Sequence, residues 1–272
     1  MTASTSATAS ARKAARSKPM AALARMGFAA RGCIYLLVGI LAIALAFGDH
    51  QNESDQQGAL QVLTQHTGGV VLVWLIAVGL FGYAVWRFVE AAFGVAGEGR
   101  KILPRLQALG SGLIYLFFSF TAVRVAVGAN AGSQAQREQE WTGKVMQHTG
   151  GRWIIGIVGC VIVICGVVLA VQGLTRDFEK YLQTQRMSRI QRRVVESLGI
   201  AGSIGRGLVF AIVGVFVIIA AVTASPTKAR GLDQAFRELL NMTAGPGLVV
   251  LCGLGLMIFG LYGFAEAKWR KA

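Results

Sequence analysis

Six apolar runs, at about residues 28–47, 70–93, 107–128, 153–174, 204–223 and 247–265, constrain this chain more than any other feature. Each is close to the roughly 20 residues that a helix needs to cross the ~30 Å hydrocarbon layer of a bilayer. In lipid, only helices and closed barrels satisfy their own backbone hydrogen bonds. The runs lack the apolar–polar alternation of barrel strands, so transmembrane helices are expected. Charged residues make up 15% of the 272-residue chain, against roughly a quarter in a soluble domain.

The runs come in three pairs, and each pair opens on one phrase: a glycine, an aromatic three residues later, and a small residue four beyond that. The copies are Gly32/Tyr35/Gly39, Gly112/Tyr115/Ser119 and Gly207/Phe210/Gly214. Such spacing puts the three side chains on one helix face. Small residues let helix backbones approach closely where lipid supplies no hydrophobic force between helices. The phrase is therefore expected to form the packing seam of each odd-numbered span. A secretory signal is excluded for the first run, because its Arg31-Gly32-x-x-Tyr35 returns as Arg206-Gly207-x-x-Phe210 in the fifth.

The expected fold is all-α: a polytopic membrane protein with six transmembrane helices as three tandem two-helix repeats. Repeat 1 covers residues 24–97, repeat 2 residues 98–175 and repeat 3 residues 198–268. Residues 1–23 read as a disordered basic tail, rich in Ala, Ser and Thr, and residues 269–272 as a short tail. Residues 176–197 read as a basic amphipathic helix on the inner membrane surface.

The net charge of +14 is distributed in alternation. The first tail, the segment after the second run, the segment after the fourth and the final tail carry most of the Lys and Arg. The segments between carry few. This is the positive-inside pattern, and it places both termini in the cytoplasm with anionic lipid headgroups as partners. Nucleic acid is not an expected partner, since no basic module interleaved with aromatics is present.

The non-cytoplasmic segments repeat as well. Gln65-His66-Thr67-Gly68-Gly69 matches Gln147-His148-Thr149-Gly150-Gly151, with Asn241-Met242-Thr243-Ala244-Gly245 as a degraded third copy. Residues 232–240 carry apolar side chains at helical spacing just before it. A short interfacial helix on the outer side is therefore expected in each repeat. His66 and His148 invite a metal reading, but Met242 replaces them in repeat 3, and hydrogen bonding at a helix end is the reading adopted. Cys33, Cys160, Cys165 and Cys252 fall within spans and lack metal-ligand spacing, so they read as packing residues.

Several charges stand out at span ends. Arg31 and Arg206 precede their glycines, where snorkelling to headgroups would anchor them. Glu90 and Glu266 hold matching places near the ends of the second and sixth spans. Either carboxylate is a candidate ion-pair partner for Arg31, Arg87 or Arg206. Trp86, Tyr262 and Trp269 suit an aromatic belt. Arg124 interrupts the third span one turn from its outer end, and it either faces a cavity or snorkels outward.

The stretches 25–35, Gly58-Ala59-Leu60 and 79–87 resemble the domain of unknown function 1206 family of bacterial inner-membrane proteins, whose members have three tandem two-helix repeats. The resemblance implies this topology, residence in the bacterial plasma membrane, and no catalytic residues. Repeat 2 departs from the pattern, with Ser111 in place of the arginine. A second likeness, to three-repeat mitochondrial carriers, fails on the prolines: Pro19, Pro104, Pro226 and Pro246 are read as lying outside the odd helices.

No enzyme is expected, for no nucleophile–base set, carboxylate pair, metal cluster or phosphate loop is present; no cofactor is implied either. A non-enzymatic membrane scaffold or accessory protein is the first functional reading, with any protein partner or self-association open. A small-solute transporter or channel with its path between the repeats is the second. A polar cavity lined by Arg124, Gln172 or threonines from several repeats would favour transport, and a dry glycine- and valine-packed centre would favour the scaffold.

Overall fold

The computed structural model describes residues 18–94, 102–128, 134–223 and 231–271. Among these residues the chain forms nine α-helices: α1 (Lys18–Ala46), α2 (Gln56–Thr64), α3 (Gly69–Phe93), α4 (Ile102–Ala126), α5 (Gln134–Met146), α6 (Gly151–Leu174), α7 (Arg189–Val222), α8 (Leu232–Leu240) and α9 (Gly245–Trp269). Six of them, α1, α3, α4, α6, α7 and α9, are long and apolar enough to cross a membrane. The fold is all-α and polytopic, with α2, α5 and α8 as the short helix of each repeat.

The spans pack in the spatial order α4–α3–α1–α9–α7–α6. The most extensive seams are α3–α4, α6–α7 and α9–α1, and each joins an odd helix to the even helix of the preceding repeat, repeat 3 preceding repeat 1 around the bundle. The glycine phrase lies in these seams. A Cβ placed on Gly32 would stand 2.8 Å from the Gly260 carbonyl oxygen, and one on Gly207 would stand 2.5 Å from that of Gly166. Backbones this close admit no side chain at all, the situation in which glycine governs helix association in lipid. Gly39 meets Gly253 and Gly214 meets Gly159 one or two turns further on. On the α3–α4 seam, Gly112 lies under the Phe88 ring and the Ser119 hydroxyl donates to the Ala77 carbonyl at 2.9 Å.

In the first two copies the aromatic of the phrase packs across the same seams. Tyr35 meets Phe259 edge-on with ring centroids 4.9 Å apart, and Tyr115 meets Tyr83 at 4.6 Å. Phe28, Tyr83 and Trp86 form the aromatic centre of the main core.

Repeats 1 and 3 also close upon themselves through α1–α3 and α7–α9, but in repeat 2 the spans α4 and α6 scarcely touch. Helix α6 shows the consequence: its buried residues are only Gly151, Gly159, Gly166 and Gly173, a single glycine stripe.

At the end opposite the chain's ends, the Thr-Gly-Gly turns lead into α3 and α6 through left-handed Gly68 (φ 79°) and Gly150 (φ 85°). Such φ values favour glycine. The His66 and His148 Nδ1–H groups donate to carbonyls four residues back, Val62 at 2.9 Å and Lys144 at 3.1 Å. In repeat 3, Ala244 keeps φ negative and Pro246 stands in the first turn of α9, where its missing N–H costs nothing.

The structure departs from several sequence expectations. Residues 176–197 are not one surface helix. Two 3-10 turns, Asp177–Tyr181 and Thr184–Arg186, tuck under the bundle before α7 begins at Arg189 and runs unbroken into its span. The reason is apolar: Phe178 packs on Gly199 and Tyr262, and Leu182 is fully buried beside Arg270. Of the expected disordered tail, residues 18–23 are helical, while residues 1–17 lie outside the described residues. Trp86 and Tyr262 are buried rather than belted at the lipid surface. Pro19 and Pro104 fall inside odd helices, in their first turns. The four cysteines are free, with Cys252 buried and Cys160 and Cys165 exposed on α6.

Candidate functional site

The seams set up three equivalent positions for an ion pair near the basic end of the bundle. Six residues beyond Gly260, the seam partner of Gly32, lies Glu266; one residue before Gly32 lies Arg31. The Arg31 guanidinium donates to the Glu266 carboxylate and, at 3.3 Å, to the Tyr83 hydroxyl. It sits among the Phe28, Tyr83 and Phe259 rings, 5.0–5.6 Å from their centroids. Arg31 is 7% exposed and so is no headgroup anchor. A buried charge of this kind is tolerated only when paired. Arg270 supplies a second cation to Glu266 at 2.5 Å.

Repeat 2 lacks both halves of this device. Ser111 stands where the α3–α4 seam calls for an arginine, and Glu90 turns instead to Arg87 of its own helix at 2.7 Å. Gln172, six residues beyond Gly166, stands where the α6–α7 seam calls for a glutamate. Arg206, one residue before Gly207, is left with three aromatic rings, Phe259 at 4.7 Å, Phe210 at 5.1 Å and Tyr35 at 5.4 Å. Its Nε is buried without a hydrogen-bond partner. Among the described residues no carboxylate reaches Arg206 within ion-pair distance.

Arg206 borders a cavity of about 190 Å³ whose lining comes from all three repeats: Arg31 and Arg87, Gln107 and Gln172, and Ser203, Glu266 and Arg270. The 3-10 turn residues Asp177, Phe178, Lys180 and Tyr181 complete it. Five cationic side chains face two carboxylates there, and Glu266 is already shared by Arg31 and Arg270. The cavity thus has an unbalanced positive charge and planar guanidinium donors, the chemistry that holds phosphate or carboxylate groups.

A second cavity, of about 440 Å³, lies further along the same α4–α6 cleft toward the short helices. Arg124 lines it with Phe117, Phe120 and Trp141, and is half-buried. It stays far from the Arg206 cavity. Glu138 and Arg137 of α5 border the same space.

The short helices themselves form a polar cap. The Ser54 N–H donates to Asp233 at 2.8 Å, Arg237 pairs with Asp233 at 2.7 Å, and Arg137 donates to Gln57. Burial raises the Asp55 carboxyl to about 7, against the opposing effect of the Gly58 N–H that it caps. Burial likewise raises Glu138.

Sequence reading singled out Arg31, Arg206, Arg87, Glu90, Glu266 and Arg124. The structure brings all but Glu90 and Arg124 to the lining of one cavity. It adds Arg270 and Phe259. Phe259 and Tyr83 both lie seven residues before the matched glutamates, so an alignment of the repeats carries that signal. Arg270 carries none, because its role depends on how the last turn of α9 meets α1 and α3, where its guanidinium lies over Phe28 and Trp86.

Comparison with known proteins matches this architecture. The chain is similar to an uncharacterised protein of Bacillus subtilis (strain 168), YxxB, at 31% identity over 255 residues, covering 91% of this chain and 92% of that one. No solved structure matches. The model of the Domain of Unknown Function (DUF1206) matches three times, at residues 26–94, 106–176 and 201–270. With three matches spanning all three helix pairs, the chain belongs to the DUF1206 family.

Proposed function

We propose that this chain is a non-enzymatic protein of the bacterial cytoplasmic membrane whose three repeats frame a binding site for an anionic group, of the kind used by a small-solute carrier. Its basic end, with both termini, faces the cytoplasm, as the alternation of charge supports. One observation carries the reading: Arg206 borders a cavity shared by all three repeats and lacks the carboxylate that its counterpart Arg31 has. A half-buried guanidinium whose Nε has no hydrogen-bond partner is costly, and a bound anion offsets that cost.

The cavity's volume supports a small anion. Ligand pockets for drug-sized molecules run roughly 300–1,000 Å³, and this one is smaller at about 190 Å³. No side chain in the lining forms a nucleophile–base pair, which supports binding over catalysis.

The test is thermal melting of purified protein in mild detergent with phosphate, sulfate or carboxylate salts at constant ionic strength, followed by flux assays in liposomes. An anion should raise the melting temperature of the wild type and leave Arg206→Gln unmoved. Identical responses of the two proteins, with no flux above empty liposomes, would return the chain to a purely scaffolding role.

A further inference from the structure

We infer that the α4–α6 cleft holds one anionic phospholipid, with its phosphate at Arg206 and its acyl chains laid along α7 toward the second cavity. This rests on the anion reading above and names the molecule that carries the anion.

Three helices wall the cleft, and each presents one stripe at spacings of three and four, hence one face. On α7 the stripe is Ser203, Arg206, Phe210, Val213 and Val217. Its first two members line the Arg206 cavity and its last two line the second cavity. On α4 the corresponding stripe runs from Gln107 at the first cavity to Phe117 at the second. On α6 it runs from Gln172 to Ile162. Every wall is therefore polar at the basic end and apolar about ten residues on.

Ten helical residues rise ~15 Å, half of the ~30 Å hydrocarbon layer. The polar-to-apolar change thus covers the depth of one leaflet. A hydrated solute moving along this cleft would need polar partners throughout. A lipid needs what is present, donors at the interface followed by an apolar stretch through Phe117, Ile162 and Val213, with Arg124, Arg137 and Glu138 met only toward the short helices.

Because α4 and α6 do not pack together, the cleft opens sideways, and Ile114 and Cys165 are exposed along it. Entry from the bilayer needs no passage through water. Exchange of one hydrocarbon neighbour for another gains little, so selectivity falls to the headgroup. Charge-assisted hydrogen bonds from a guanidinium hold the phosphate, and the excess of cations in the lining disfavours a headgroup that carries a cation of its own.

Purified protein titrated with dioleoyl phosphatidylglycerol, dioleoyl phosphatidylcholine or inorganic phosphate, read by native mass spectrometry and by melting temperature, tests this. Both lipids carry the phosphate, but choline adds a cation that the arginine-rich lining repels, so wild type should prefer phosphatidylglycerol over phosphatidylcholine roughly tenfold, the order of one like-charge contact near a protein surface. Arg206→Gln should lose the preference. Val213→Trp, which fills the apolar stretch and leaves Arg206 in place, should lose the lipid while keeping any response to phosphate.

Equal binding of both lipids by all three proteins would mean unspecific boundary lipid and would overturn the inference. A phosphate response lost in Arg206→Gln, with phosphatidylglycerol unaffected by Val213→Trp, would overturn the lipid and leave the anion site standing. A wild type indifferent to every anion would sink both.

Should Val213→Trp fail to fold, Cys165 serves instead. With Cys33, Cys160 and Cys252 replaced by alanine, phosphatidylglycerol should slow maleimide labelling of Cys165 several-fold and phosphatidylcholine should not. Equal labelling rates would overturn the inference.

Discussion

Arg31 and Arg206 hold the same place in their repeats and both stack on Phe259, 5.1 and 4.7 Å from its centroid, yet only Arg31 has a carboxylate. Their difference originates one helix away, where Glu266 faces the first and Gln172 stands near the second. Repeats 1 and 3 each carry the arginine and the glutamate, repeat 2 carries Ser111 and Gln172 instead, and this break coincides with the open α4–α6 cleft.

Restoring the pattern should close the site. Gln172→Glu would give Arg206 an internal partner on the geometry of Arg31 and Glu266. The variant should melt higher than wild type and lose its anion response. A wild-type anion response in Gln172→Glu would show that Arg206 is not the recognising group.

Removing Glu266 should be severe. Breaking a buried pair while leaving the cation in place costs about 3–5 kcal/mol, and Glu266 serves both Arg31 and Arg270. Glu266→Ala should lower the melting temperature strongly, and Arg31→Met combined with Glu266→Leu should recover much of the loss. Additive losses in a double-mutant cycle would refute the pairing.

The seams predict a sharp contrast between glycines. In Gly260→Ala the new methyl meets the Gly32 carbonyl oxygen at 2.8 Å, and overpacking of this kind costs about 1–3 kcal/mol. In Gly110→Ala it meets nothing within 4 Å. Chemical denaturation in detergent should show a loss for the first and none for the second.

The polar cap should weaken as pH rises. The folded chain holds the Asp55 proton to about 7 against an ordinary value of 3.8, so between these values the folded state binds more protons than the unfolded one. Stability therefore falls from about pH 4 to about pH 7 and is flat above, and Glu138 acts in the same direction. Protection of the α2 amides, taken relative to free-amide exchange at each pH, should fall over that range. Asp55→Asn keeps the cap to Gly58 and should weaken the dependence, leaving the share of Glu138; an unchanged profile would assign it elsewhere.

Span number, repeat pairing and the seam phrase were legible in the sequence because lipid imposes both length and small-residue contact on helices. The partner of each seam was not. Gly32 specifies a close neighbour but cannot say whether that neighbour is α3 of its own repeat or α9 at the far end of the chain. Arg31 misled for a related reason: its position suits a snorkelling anchor, and only the approach of α9 surrounds it with Phe259 and Glu266. Phe178 and Leu182 read as one face of a surface helix, whereas the bundle's underside buries Leu182 and half-buries Phe178.

One property of the bundle bears on how the molecule is made. Covalent succession and spatial adjacency are out of step by one helix, so the two spans of repeat 2 belong to different neighbours. A gene divided between α4 and α5 would encode two fragments, α1–α4 and α5–α9, each already internally seamed and left to dock through α1 against α9. Co-expressed, they should purify as a complex, and middle-repeat ancestry would then look like a tether rather than a domain.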